Sequence, residues 1–138
     1  MKNINRIVYF LIISLTALSS CKKDESTDQA TSVDQIVTAG TWRVTYFAES
    51  NEDKTTDFAG YTFIFNSNGE LVASNSGVHT TGTWGWDDSS SKLLISIGSS
   101  KPLSELTDDW LILEKTETLI KLKNDNPVKN ELLNLTRI

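Results

Sequence analysis

Cysteine and histidine occur once each, as Cys21 and His79. One cysteine cannot form an internal disulfide, and a lone histidine has no second histidine or cysteine with which to hold a metal. No segment has the pattern of a phosphate-binding loop or of a serine hydrolase, and no internal repeat of solenoid length is present. Basic residues are in deficit too: thirteen lysines and arginines stand against eighteen aspartates and glutamates, a formal charge of −5. That balance provides no electrostatic footprint for nucleic acid and would be repelled by anionic membrane surfaces. Spanning a bilayer takes about 20 apolar residues. The uncharged stretch Ile7–Leu18 has twelve.

That stretch is nevertheless informative in its order. Lys2 and Arg6 precede it, and Leu18-Ser19-Ser20-Cys21 follows, giving the charge, length and small residues of a secretory leader. The tetrapeptide resembles the lipobox of bacterial lipoproteins, in which the cysteine is acylated and becomes the first residue of the mature protein. The resemblance implies a signal peptide over residues 1–20 and a lipidated Cys21, held at the membrane by several acyl chains, far more firmly than by one. Lys22-Lys23-Asp24-Glu25 resembles the export tag of surface lipoproteins in the Bacteroidetes. The expected location is therefore the bacterial cell envelope, as an outer-membrane lipoprotein exposed at the surface. Residues 21–35 are read as the lipidated cysteine and a flexible tether, since Ser26 to Ser32 is too polar to order itself by burial. Without the leader, 118 residues remain, with eleven basic and eighteen acidic side chains. That length suits a single domain, placed at residues 36–138.

Ser32-Val33-Asp34-Gln35 has the form of a capping box, with Val33, Ile36 and Val37 on one helical face and Gly40 at the place of a C-terminal glycine. A short helix is predicted there. From Thr41 the period changes to two, with Trp42, Val44 and Tyr46 on one face of a first strand. Further strands are predicted at residues 61–65, 70–74, 79–86, 92–97, 110–115, 119–123 and 131–138. Asn66-Ser67-Asn68-Gly69, Asp87 to Ser91 and Thr116-Glu117-Thr118 read as turns. Glu49 to Asp57 and Gly98 to Asp108 read as longer connections. Eight short strands in succession predict an all-β, antiparallel up-and-down barrel, which hides its edges by closure. A two-sheet β-sandwich is the alternative that periodicity leaves open.

Gly40-Thr41-Trp42 matches the Gly-x-Trp signature that opens the first strand of lipocalins. Together with Phe58 to Phe65, Gly82-Thr83-Trp84 and Leu106 to Trp110, it resembles small lipocalin-like lipoproteins of the Bacteroidetes. The resemblance implies an eight-stranded lipocalin-like barrel in which a late arginine packs across the tryptophan. Arg137 is the candidate, and Trp42 with Arg137 would be the barrel-closing pair.

Trp84 and Trp86, two apart on one strand, face the same side. With Tyr61, Phe63 and Trp110 they are candidates either for a ligand-lining aromatic cavity or for ordinary core, because large aromatics dominate both. Asp87-Asp88 and Asp108-Asp109 sit at strand ends, where turn chemistry explains them better than catalysis. No catalytic, metal-ligating or cofactor-binding residue is assigned. The leading function is a non-enzymatic, membrane-anchored lipocalin-like module binding a small apolar or amphipathic ligand. The alternative is a surface interaction lipoprotein whose packed barrel binds protein or glycan through its loops.

Overall fold

The computed structural model describes residues 31–138. The leader, Cys21 and the charged segment after it lie outside the described residues. A five-residue helix, α1 (Val33–Val37), is followed by strands β1 (Thr41–Glu49), β2 (Glu52–Asp53), β3 (Thr62–Phe65), β4 (Glu70–Asn75), β5 (Val78–Asp87), β6 (Lys92–Ile97), β7 (Asp108–Lys115), β8 (Leu119–Asn124) and β9 (Glu131–Arg137). Two single-turn 3₁₀ helices, Thr55–Phe58 and Leu103–Leu106, interrupt the longer connections. All pairings are antiparallel between sequence neighbours, apart from β1, which pairs with β2, β3 and β9. Pairing of β1 with β9 closes β1 and β3–β9 into an eight-stranded up-and-down barrel. β2 is only a two-residue flap on the end of β1.

Closure sets the inner face. Trp42 stands opposite Arg137, Val44 opposite Leu135 and Phe47 opposite Leu133. The alternation of β1 is broken on the way. A bulge at Thr45 moves the register between Val44 and Tyr46, which turns Phe47 inward and leaves Tyr46 only partly buried. An inserted residue reverses the faces of everything beyond it. The expectation that Tyr46 shares a face with Trp42 and Val44 is corrected for that reason. A second bulge in β7, between Ile112 and Glu114, leaves Leu113 exposed.

Helix α1 plugs one end of the barrel with Val33, Ile36 and Val37, all buried. Val33, inside the segment expected to be tether, is thus part of that core. Ser32 is the N-cap but makes no side-chain capping bond. Gly40 does not terminate the helix either: its importance is steric. A Cβ there would lie 2.9 Å from Cδ of Arg137, so the arginine stem covers the glycine.

The opposite end is closed by the two 3₁₀ turns. Phe58 packs edge-on to Phe47, ring centroids 5.1 Å apart, and Leu103 and Leu106 are buried in the same core. The connection expected at Gly98 to Asp108 thus carries two core side chains, and Phe58, just past the end of the one expected at Glu49 to Asp57, is a third.

At Gly82, β5 lies close against β6. A Cβ on it would stand 2.2 Å from the Ser96 carbonyl oxygen and 2.8 Å from Cα of Ile97. Backbone cannot yield as a flexible side chain can, and overpacking of this kind costs about 1–3 kcal/mol or more. Gly82→Ala is expected to lower the urea unfolding midpoint accordingly, with tryptophan emission as the readout; an unchanged midpoint would refute the close approach.

Candidate functional site

The barrel interior is the first place to look for a site, and side chains occupy it. Trp42, Phe47, Leu93, Trp110 and Leu133 have 0% exposure, and Phe63, Leu71, Ile120 and Leu122 have 1%. The aromatic residues singled out from the sequence separate into two groups. Phe63, Trp84 and Trp110 are inner-face core. Tyr61, just before β3, is partly buried and stacks on Phe63 at 6.2 Å. Trp86 stacks on Trp84 at 5.7 Å but is 42% exposed, at the end of β5 where the inner face meets solvent.

The three most buried indoles share one chemical role. A buried Trp N–H needs an acceptor. Trp42 donates to the Val37 carbonyl at 2.8 Å, Trp84 to the Asn66 carbonyl at 2.8 Å, and Trp110 to the Leu106 carbonyl at 2.9 Å. Each acceptor lies on a connecting segment: the end of α1, the β3–β4 turn, and the 3₁₀ turn between β6 and β7. These tryptophans pin plugs and turns to the barrel, and their N–H groups are not available to a ligand. Trp42 and Arg137 are direct register partners across the closing ladder, with Arg137 lying over Gly40.

Charged groups gather at the 3₁₀ end. Glu131, 6% exposed, faces Glu49 across the β1–β9 ladder. Like charges opposed in this way are unfavourable unless neutralised. Lys54 pairs with Glu49, and this hydrogen bond holds the Glu49 carboxyl below its usual range. Glu131 has no such partner: it accepts from the buried Asn124 amide, and burial pushes its pKa up. Asp108 shows the opposite balance. Burial opposes its ionisation, but bonds from Lys129, Asn124 and the Asp109 N–H outweigh that and hold it low. Lys101 and Glu105 form a further pair, in which the second carboxylate oxygen of Glu105 is buried without a partner. At the other end, Asp87 receives bonds from the Ser89 and Ser90 hydroxyls and the Ser89 N–H, which depress its pKa to about 2. In each acidic pair, one carboxylate, Asp87 in a turn and Asp108 in an ion pair, is therefore engaged. His79 is exposed and bonds Ser74 Oγ at 2.7 Å. Among the described residues no group of three His, Cys, Asp or Glu side chains converges on a point.

Concavities lie on the outer wall. One, about 310 Å³, is bordered by Val33, Ile112, Leu113 and Lys115. Another, about 380 Å³, lies between β1, the first 3₁₀ turn and Tyr61. The sequence offered no signal for either, because each is framed by residues from distant segments.

Known structures share this architecture. A DUF4847 family protein from Bacteroides vulgatus superposes with a TM-score of 0.57 at 16% identity, covering 76% of this chain and 96% of its own. An uncharacterized protein from Bacteroides eggerthii superposes with a TM-score of 0.53 at 12% identity, covering 72% and 98% respectively. At such identities the likeness is one of fold. No protein-family model and no curated protein matches the chain.

The raised pKa of Glu131 has a definite consequence for stability. Unfolded, the carboxyl titrates near 4.5, while the native state keeps its proton to higher pH. Its contribution is thus intact below that value and declines as pH rises through the native pKa. Glu131→Gln retains the acceptor for Asn124 and abolishes the ionisation. Thermal denaturation is expected to give matching Tm values for variant and parent near pH 4, and a higher Tm for the variant near pH 7.5. A lower Tm at neutral pH would show that the charge is needed.

Proposed function

We propose that this chain is a lipoprotein of the bacterial outer membrane, anchored through acyl chains on Cys21 and exposed at the cell surface. In this reading its lipocalin-like barrel is a non-enzymatic binding module that meets its partner on the outer wall and loops. The leader, the lipobox-like Leu18-Ser19-Ser20-Cys21 and the absence of any second cysteine support the anchor. The observation that carries the outer-wall reading is the filled axis, with α1 at one end and Phe58, Leu103 and Leu106 at the other. An eight-stranded barrel has an interior that side chains can fill completely. Axial binding of a small apolar ligand, the other role open to such a barrel, would require those mouth residues to leave the core. That costs roughly 1.5–3 kcal/mol for each side chain exposed.

The two halves of the proposal are tested separately. Metabolic labelling with a fatty acid is expected to mark the parent and to fail on Cys21→Ser; equal labelling of both would remove the anchor. Titration of the purified protein with the neutral apolar dye 1-N-phenylnaphthylamine is expected to leave the buried tryptophan emission unchanged. Saturable quenching, lost when Leu106→Trp enlarges the mouth plug, would establish axial binding in place of the outer wall.

A further inference from the structure

β1 leaves one neighbour while keeping the other. It stays on β9 from Trp42 to Glu49, but it pairs with β3 only at Thr41 and Trp42. Continuing that register would set Arg43 against Thr62 and Val44 against Tyr61, yet the ladder has ended there. The strands part, and the turn Thr55–Phe58 closes the gap from behind. What remains is the groove of about 380 Å³ in the barrel wall, within the size range of small-molecule sites.

Its chemistry is uneven in a useful way. Buried Val44 and Phe58 give it an apolar floor. Two threonine hydroxyls on its border are already engaged, Thr45 with Thr136 and Thr55 with the Phe47 N–H and Asp53. The Arg43 guanidinium, the Thr56 hydroxyl and the Tyr61 phenol make no hydrogen bond or ion pair with another described residue. No carboxylate lines the groove. The exposed Arg43 guanidinium thus sets a positive charge beside apolar and aromatic surfaces, with no carboxylate of the groove to compete for it. A guanidinium fork matches a carboxylate in two parallel bonds, more strongly than neutral donors do.

We propose that the seam between β1 and β3 binds a small monocarboxylate with an apolar body, its carboxylate on Arg43 and its body against Val44, Phe58 and the Tyr61 ring. The inference rests on the outer-wall reading and gives it a site and a ligand class.

The test is a titration of the ¹⁵N-labelled full chain with 4-phenylbutyrate, followed by amide shifts. Saturable shifts are expected at Arg43, Thr56 and Tyr61. Arg43 is exposed, so Arg43→Gln leaves the fold intact, as an otherwise unchanged spectrum would confirm. That variant is expected to bind about tenfold or more weakly, as is 4-phenyl-1-butanol, which has the same body without the charge. Absence of saturable shifts at the seam, or equal binding by the variant or the alcohol, overturns the site. Shifts centred instead on Trp110, Leu122 and Leu133 would overturn the outer-wall reading with it. A silent seam over an unperturbed interior would remove this site and leave that reading standing.

Discussion

The ladder between the first and last strands joins segments almost a full domain apart in sequence, and it turns a sheet into a barrel. Trp42 stands at the first pair of that ladder. It faces Arg137 across β9 and Phe63 across β3, so it is the point where the ring of strands meets itself. Its indole N–H also holds the end of α1 through the Val37 carbonyl. One residue therefore ties the closure of the wall to the closure of the end. Its burial is complete, so the N–H needs a partner inside the fold, and the plug supplies one.

Short strands then dictate how the interior is used. A ring of strands mostly six to ten residues long encloses little depth, and the inner positions of strands carry large apolar side chains. Plugs enter from both ends. The result is a core filled by buried side chains, of the kind that close packing favours. Polar atoms that must come along are satisfied locally, as with Asn124 between Glu131 and Asp108.

Much of this was legible in the residues. Period-two alternation located all eight barrel strands to within a residue or two, because one face of each is buried and the other is wet. Asn66–Gly69 and Asp87–Ser91 marked turns because their side chains and a glycine suit the required backbone, with Gly69 at φ 85°. The misreadings have physical causes. Phe58, Leu103 and Leu106 come from segments without periodicity, so their burial depends on tertiary packing alone. The bulge at Thr45 exchanged the faces of Tyr46 and Phe47, an effect that strict alternation hides. Gly40 looked like a helix terminator and proved to be a seat for the Arg137 stem. Trp84 and Trp86 do share a side, yet one is core and the other half exposed, since the strand runs out of the barrel between them. The wall groove had no sequence signature, because it arises from pairing that stops.

Where pairing stops also explains why a filled barrel need not be inert. A strand in a closed sheet can have both edges occupied along its length, but beyond Trp42 the second edge of β1 is served by a 3₁₀ turn and a two-residue flap in place of a strand. Those elements satisfy particular atoms, the Phe47 N–H through Thr55 and the Phe47 carbonyl through the Lys54 N–H. They do not fill the surface between the strands. The bulge at Thr45 falls in the same stretch of β1, where bulges add local twist. Closure by β9 and separation from β3 are thus two consequences of one strand's geometry. The first makes the core, and the second leaves an unfilled surface beside Arg43, which forms no ion pair with another described residue.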